Sequence, residues 1–181
     1  MKLNSESKTI AGRRSSRESG LRSIPWRALR LDHEEQTACR LGIDRRPRLI
    51  FVTEGAVEMV KPCHNGGKAI RHGEMMLIPA GKTLALRSLE PSHIVICPLD
   101  RDAGCCPSCT ALNMARLLSE PGGSHTIPFG ELIANLLELV AKYLNDGIRE
   151  PKLYELKRSE LLFLLYVQME KLTGRDLMSC R

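Results

Sequence analysis

Two periods of hydrophobicity divide the chain. Across residues 47–102 the apolar positions come in short runs broken by turn residues. "RLIFVTEG" predicts a strand ending at Gly55, and "AVEMVKP" a second strand with Val57 and Met59 on one face and Glu58 on the other. Asn65, Gly66 and Gly67 in "CHNGGKAIRHG" form a strong turn signal. "EMMLIPAGK" predicts a strand closed by Pro79 and Gly81, and "LALRSLEPS" and "HIVICPLD" complete the series. Strands this short and this regularly punctuated predict an antiparallel sandwich or small barrel. No long helices alternate with them, which argues against a doubly wound sheet.

Beyond Asp102 the period lengthens. "TALNMARLLSE" predicts a helix ended by Pro121, Gly122 and Gly123. Phe129, Ile133, Leu136, Leu137, Val140, Tyr143 and Leu144 then recur at helical spacing, and Asn145, Asp146 and Gly147 stop that helix. A last helix over about residues 152–173 carries Leu156, Leu161, Leu164, Leu165 and Met169. Two such helices joined by a short loop predict an antiparallel hairpin. Their apolar surface needs cover, from the β domain or from a partner chain. Leu136, Val140, Leu161 and Leu165 are therefore the expected dimerisation residues, because two apolar helices exceed what one small sheet face covers.

Charge separates the N-terminus from the rest. Residues 1–23 are rich in Ser, Arg, Lys and Gly without apolar periodicity and read as a disordered basic arm. The segment "IPWRALRLDH" is expected to lay Trp26 and Leu29 onto the domain. Residues 1–30 hold eight basic and two acidic side chains, which account for the whole net charge of +6; residues 31–181 hold 19 of each. The folded part is electrically balanced, so only the arm offers non-specific phosphate contacts, and a solvated tail is its plainer reading. No apolar run reaches the roughly 18–20 residues of a membrane helix. The N-terminus lacks the apolar core of a secretory signal. A reducing cytoplasm is expected, where seven cysteines, an odd number, argue against a disulfide framework.

The run "HGEMMLIPAG", preceded by "VTEGAVEMV", resembles the cupin domain. A Gly, five residues, a Pro, one residue and a Gly in that family's second motif match Gly73, Pro79 and Gly81. Gly73 permits a tight turn, and Pro79 with Gly81 shapes the next corner. The stretch "LYELKRSELLFLLYVQMEK" resembles the segment after the cupin-like sensor domain in AraC-family transcription regulators of the Bacteroides type. The match runs through Glu155, Leu156, Lys157, Arg158, Glu160, Leu161, Leu162, Phe163, Leu164 and Leu165, and the "YLNDGI" turn is similar too. The likeness spans about residues 45–175.

The resemblance implies a mainly β, cupin-like sandwich or barrel over residues 24–102, followed by a helical extension over 103–181 that packs on it and on a partner. It implies a non-catalytic, cytoplasmic regulatory domain that forms a homodimer and senses a small-molecule effector entering the mouth of the sandwich. Phe51, Met59, Met76, Ile78 and Leu86 are the candidate ligand-facing residues; the same side chains would equally fill a closed core, and strand parity decides between the two. The family's DNA-binding helix-turn-helix part would begin about where "TGRDLMSCR" stands, which leaves no room for a recognition helix: either the sequence is a fragment of a longer regulator or the protein lacks that part.

The competing expectation is an enzyme, either a cupin-type metalloenzyme or a thiol-dependent redox protein. Metal-binding cupins carry a His-x-His and a Glu in the first motif and a further His in the second. This chain has no His-x-His, and Leu84 stands three residues beyond Gly81. A catalytic metal needs about three strong ligands, which His64, His72 and His93 supply only if they converge in space. No metal or other cofactor is expected.

"DAGCCPSCTAL" places Cys105, Cys106 and Cys109 between a strand and a predicted helix. Cys106 and Cys109 have dithiol spacing, and a helix N-terminus stabilises a thiolate there. A thioredoxin fold, however, needs βαβ units that the pattern lacks. Zinc requires four ligands, of which Cys106 and Cys109 form one pair, with Cys63, Cys97 or Cys105 to assist. Packing and a helix start are the plainest reading of the cluster. Glu54, Glu58 and Glu74 read as a solvated face, and Lys157, Arg158 and Glu160 as the exposed side of a helix.

Overall fold

A computed structural model describes residues 26–32, 39–42, 44–60, 67–99 and 126–173. The disordered-arm expectation for 1–23, the helix over 110–120, the turn at Asn65 and Gly66, His64, and Cys63, Cys105, Cys106 and Cys109 fall outside the described residues.

Among the described residues seven strands and two helices follow in order: β1 (Arg27–Leu31), β2 (Cys39–Leu41), β3 (Arg48–Met59), β4 (Ala69–Arg71), β5 (Glu74–Ile78), β6 (Leu84–Pro98), β7 (Thr126–Pro128), α1 (Glu131–Asn145) and α2 (Pro151–Thr173). Every ladder is antiparallel, in the order β1-β6-β3-β5-β7, with β2 also on β6 and β4 also on β3. The two pairs of strands expected on either side of Gly55 and of Pro91 are in fact single long strands, β3 and β6. Gly55 bends β3 without ending it, and Pro91 is tolerated because the β3–β6 register is irregular there.

That irregularity folds the sheet over. The first half of β3 pairs with β5 and the second with β4; the first half of β6 pairs with β2 and the second with β1. The halves face one another across one apolar cluster. It takes Ile50, Val52, Met76, Ile78, Ile94 and Ile96 from one leaf and Val57, Ile70 and Leu86 from the other, with Met59 and Cys39 packed against it. At the bend Gly55 has φ +72°, and a Cβ there would stand 2.2 Å from the Pro91 carbonyl oxygen and 2.6 Å from Ser92 Oγ. Ser92 is buried, and its hydroxyl accepts the Ala56 N–H at 3.0 Å and donates to the Ala56 carbonyl at 2.9 Å. One side chain thus satisfies backbone groups that the distorted ladder leaves unpaired.

Alternate residues of the same strands point the other way. Leu49, Phe51, Met75, Val95 and Cys97 form a second cluster with Trp26 and both helices. The helices supply Ile133, Leu136, Leu137, Val140, Tyr154, Leu161 and Leu165, all buried. Phe51 meets Phe129 edge to face, ring centres 5.6 Å apart. Tyr154 donates its hydroxyl to the Ile148 carbonyl at 2.8 Å and pins the inter-helix turn. Gln168 of α2 accepts the Gly130 N–H at 2.8 Å and donates to the Pro128 carbonyl, so α2 holds the start of α1.

Two polar side chains expected on solvated faces are buried. Arg158 is 4% exposed among the helix contacts with the core. Glu58 is 9% exposed: its Oε1 accepts the Gly67 N–H at 2.6 Å, and Arg87 on the neighbouring strand donates to Oε2. These bonds hold the Glu58 carboxyl below its ordinary value of 4.5, with Arg87 the larger cause. By contrast, Lys157 and Glu160 form the expected i, i+3 pair at 2.8 Å.

Three outcomes follow from this packing. Gly55→Ala should cost at least about 2 kcal/mol in urea unfolding, since it combines a left-handed backbone with a clash against main chain. Leu165→Ala should cost about 2–5 kcal/mol, the same at low and high protein concentration because the residue is buried within one chain. The Glu58 contribution is fully present above the unpaired value of 4.5 and is lost as pH falls through the depressed one. Glu58→Gln should therefore flatten the fall in melting temperature below about pH 5, read by thermal scans across a pH series.

Candidate functional site

A cleft of about 530 Å³ opens between the sheet and α1, where the helix-facing cluster ends. Its floor continues the outer face of the sheet. Ala28 pairs with Val95 across the β1–β6 ladder, and one step along the same face Arg30 pairs with His93. Ala134, Glu138, Ala141 and Asn145 project from α1 at helical spacing and form the opposite wall. The small side chains of Ala28, Ala134 and Ala141 leave the space between the two walls open.

The bulge supplies the polar end. Val52 opposes Ile94 and Glu54 opposes His93, so Thr53 is an extra residue without a partner on β6. In a regular strand Phe51 and Thr53 would share the outer face and Glu54 would turn inward. The added residue reverses that parity and sets Glu54 beside His93, whose Nδ1 lies 3.1 Å from Glu54 Oε2. Thr53 Oγ1 donates to the His93 carbonyl at 3.2 Å. His72 Nδ1 sits 2.6 Å from the Thr53 carbonyl oxygen. The β4–β5 turn holds the bulge in place, with the His72 N–H on the Gly55 carbonyl at 2.8 Å and the Gly73 N–H on the Val52 carbonyl at 2.9 Å.

These contacts fix the imidazole tautomers. A carbonyl or carboxylate oxygen only accepts, so both Nδ1 atoms donate, and in a neutral ring each Nε2 remains an acceptor. His72, His93, Glu54 and Thr53 line the cleft together with Arg30 and Glu138. Among the described residues no group of three His, Cys, Asp or Glu side chains is placed to hold a metal ion.

The candidate residues named from sequence are divided between the faces. Met76, Ile78 and Leu86 are buried in the cluster between the leaves with Met59 against it, whereas Phe51 points outward to the helices. None of the five lines the cleft. Leu136, Val140, Leu161 and Leu165 lie in the helix-facing core of this chain, not on an exposed face. Among the described side chains of α2, the large apolar ones left exposed are Leu156 and Phe163, at 64% and 61%. Of the cysteines, Cys97 is buried and Cys39 half-buried. Glu54 was read from sequence only as part of a solvated face, and Thr53 did not stand out; the one available signal for the bulge was a polar pair followed by Gly55.

No family model and no curated protein matches the chain. Among solved structures it is similar to apo ToxT K231A from Vibrio cholerae strain SCE256, at 10% identity and TM-score 0.52, over 81% of this chain and 55% of that one. A further ToxT structure from Vibrio cholerae aligns at 11% identity and TM-score 0.48, over 85% of this chain and 58% of that one. A cupin-2 domain containing protein from Shewanella frigidimarina aligns at 17% identity and TM-score 0.33, over 41% of this chain and 69% of that one. The chain spans just over half the length of the ToxT chains it matches. No helix among the described residues is long and apolar enough to cross a membrane. The described chain is thus a mainly β, cupin-like antiparallel sandwich followed by a helical hairpin, a fold it shares with the matching part of ToxT.

Proposed function

We propose that this chain is the sensing and dimerisation domain of an AraC-type transcription regulator and that it is not an enzyme. The observation that carries the reading is the cleft between sheet and helix. An occupant there touches two layers at once, so it has different contacts if α1 moves relative to the sheet, which is what a sensor requires. The resemblance of residues 155–165 to the segment after the AraC-type sensor supports the family. So does the fold shared with ToxT, whose N-terminal domain is that of an AraC-family regulator.

In this reading the effector is a small molecule, no metal or other cofactor takes part, and DNA is bound by a helix-turn-helix part supplied in addition to this domain. The protein works in the cytoplasm as a homodimer. Because Leu136, Val140, Leu161 and Leu165 are occupied within the chain, pairing falls to the exposed stripe of α2 at Leu156 and Phe163. Seven residues separate these two, so they lie on one helix face and can meet their own copies about a two-fold axis.

The test is to fuse the chain to a DNA-binding module that represses a reporter only as a dimer. The fusion should repress. Joint replacement of Leu156→Lys and Phe163→Lys should relieve repression about tenfold or more while the circular dichroism spectrum stays unchanged. Failure of the intact fusion to repress would overturn the dimeric reading. Stoichiometric iron, manganese or nickel in the purified chain, together with turnover, would establish the enzyme in its place.

A further inference from the structure

The geometry points to the cleft between β1, β6 and α1 as a binding site for a small organic amine with a short apolar body; this rests on the sensing role proposed above and names the chemistry of its effector. Three features of the cleft carry it.

The first is the balance of donors and acceptors. Glu54 and Glu138 present carboxylates, and His72 and His93 present an Nε2 acceptor each while neutral, because Thr53 and Glu54 engage both Nδ1 atoms. Against these four acceptor groups stand the Arg30 guanidinium and the two-sided amide of Asn145. Two carboxylates thus stand against a single guanidinium around the cleft. A carboxylate ligand would gain Arg30 and meet Glu54 and Glu138. An ammonium group, with three donors and a positive charge, satisfies acceptors from both walls.

The second is the arrangement along the sheet. Arg30, His93 and Glu54 are successive partners on β1, β6 and β3. Neighbouring strands lie about 4.8 Å apart, so the guanidinium enters from one edge and the Glu54 carboxylate lies about two strand spacings away, on the side closed by His72. Positive and negative ends are thereby separated across the floor, and the ammonium belongs at the Glu54 end.

The third is the space itself. Ala28 on the floor and Ala134 and Ala141 on the wall are small residues where a larger side chain would close the gap between helix and sheet. The apolar floor between them continues through Val95 into the core. An alkyl body fits this strip and is removed from water on two sides.

The probes are n-hexylamine, n-hexanoate and hexan-1-ol, three molecules of one chain length and different heads, titrated into the purified chain by calorimetry at pH 7.5. Hexylamine should bind, and hexanoate and hexanol should bind at least about tenfold more weakly, the discrimination expected of a charge-assisted hydrogen bond. Glu138→Gln and Glu54→Gln should each weaken hexylamine about tenfold and leave the hexanol signal unchanged. Ala141→Leu keeps a strong helix former at its position and should abolish binding of all three by filling the strip. Hexanoate binding that is tightest and lost in Arg30→Ala would overturn the amine assignment and leave the sensing reading standing. Hexylamine binding that survives Ala141→Leu would overturn the placement in the cleft. No binding by any of the three would overturn the site, and the reporter fusion would judge the regulatory role separately.

Discussion

A β-ladder between two long strands cannot face two directions unless its register breaks, and this domain is organised around one such break. β3 and β6 pair along most of their length, yet each serves both leaves of the sandwich. The change of direction is concentrated at residues 53–57, opposite Ser88, Glu90 and His93. Gly55 lets the two backbones approach to a distance that no Cβ would allow, and Ser92 satisfies the polar groups of Ala56 that the bend takes out of the ladder. Without that exchange the bend would leave buried backbone groups unpaired at a cost of about 1–3 kcal/mol each. The enclosed cluster of Val57, Ile70 and Leu86 against Ile50, Ile94 and Met76 exists because the sheet turns there.

The same break shapes the cleft. One inserted residue reverses side-chain parity, so Glu54 arrives beside His93 on the outer face while Val52 stays in the interior. The β4–β5 turn, tied to the bulge by two backbone hydrogen bonds, brings His72 to the same place. Fold and site thus share one structural element. A ligand that presses on Glu54, His72 or His93 presses on the bend itself, and on the opposite wall it meets a helix that Gln168 and Tyr154 couple to α2.

Burial on both faces explains where the helices go. In β3, β5 and β6 each face carries Val, Ile, Leu, Met or Phe, one side for the sandwich interior and the other for α1 and α2. The outer face of the sheet has enough apolar area to absorb Leu136, Val140, Leu161 and Leu165, residues whose pattern equally suited a partner chain. The sequence pattern treats the strand runs as one-sided, and "RLIFV" and "HIVIC" do not tell how many faces they bury, because a run without polar alternation carries no parity.

Much of the architecture was nevertheless legible in the amino-acid order. The short apolar runs between turn residues, the positions of Gly73, Pro79 and Gly81, the helix stop at Asn145, Asp146 and Gly147 and the final helix are local properties of propensity and period, and α1 and α2 lie within a residue or two of where that period puts them. What tertiary structure alone decided was non-local. It joined β3 across Gly55 and β6 across Pro91, buried Glu58 beside Arg87, spent the helix leucines inside the chain, and set Arg30, Glu54, His72, His93 and Glu138 around one cleft. The residues of the cleft are spread from Ala28 to Asn145, and a spacing rule reads only neighbours on one element; their meeting depends on a ladder register shifted by a single residue, which no local pattern encodes.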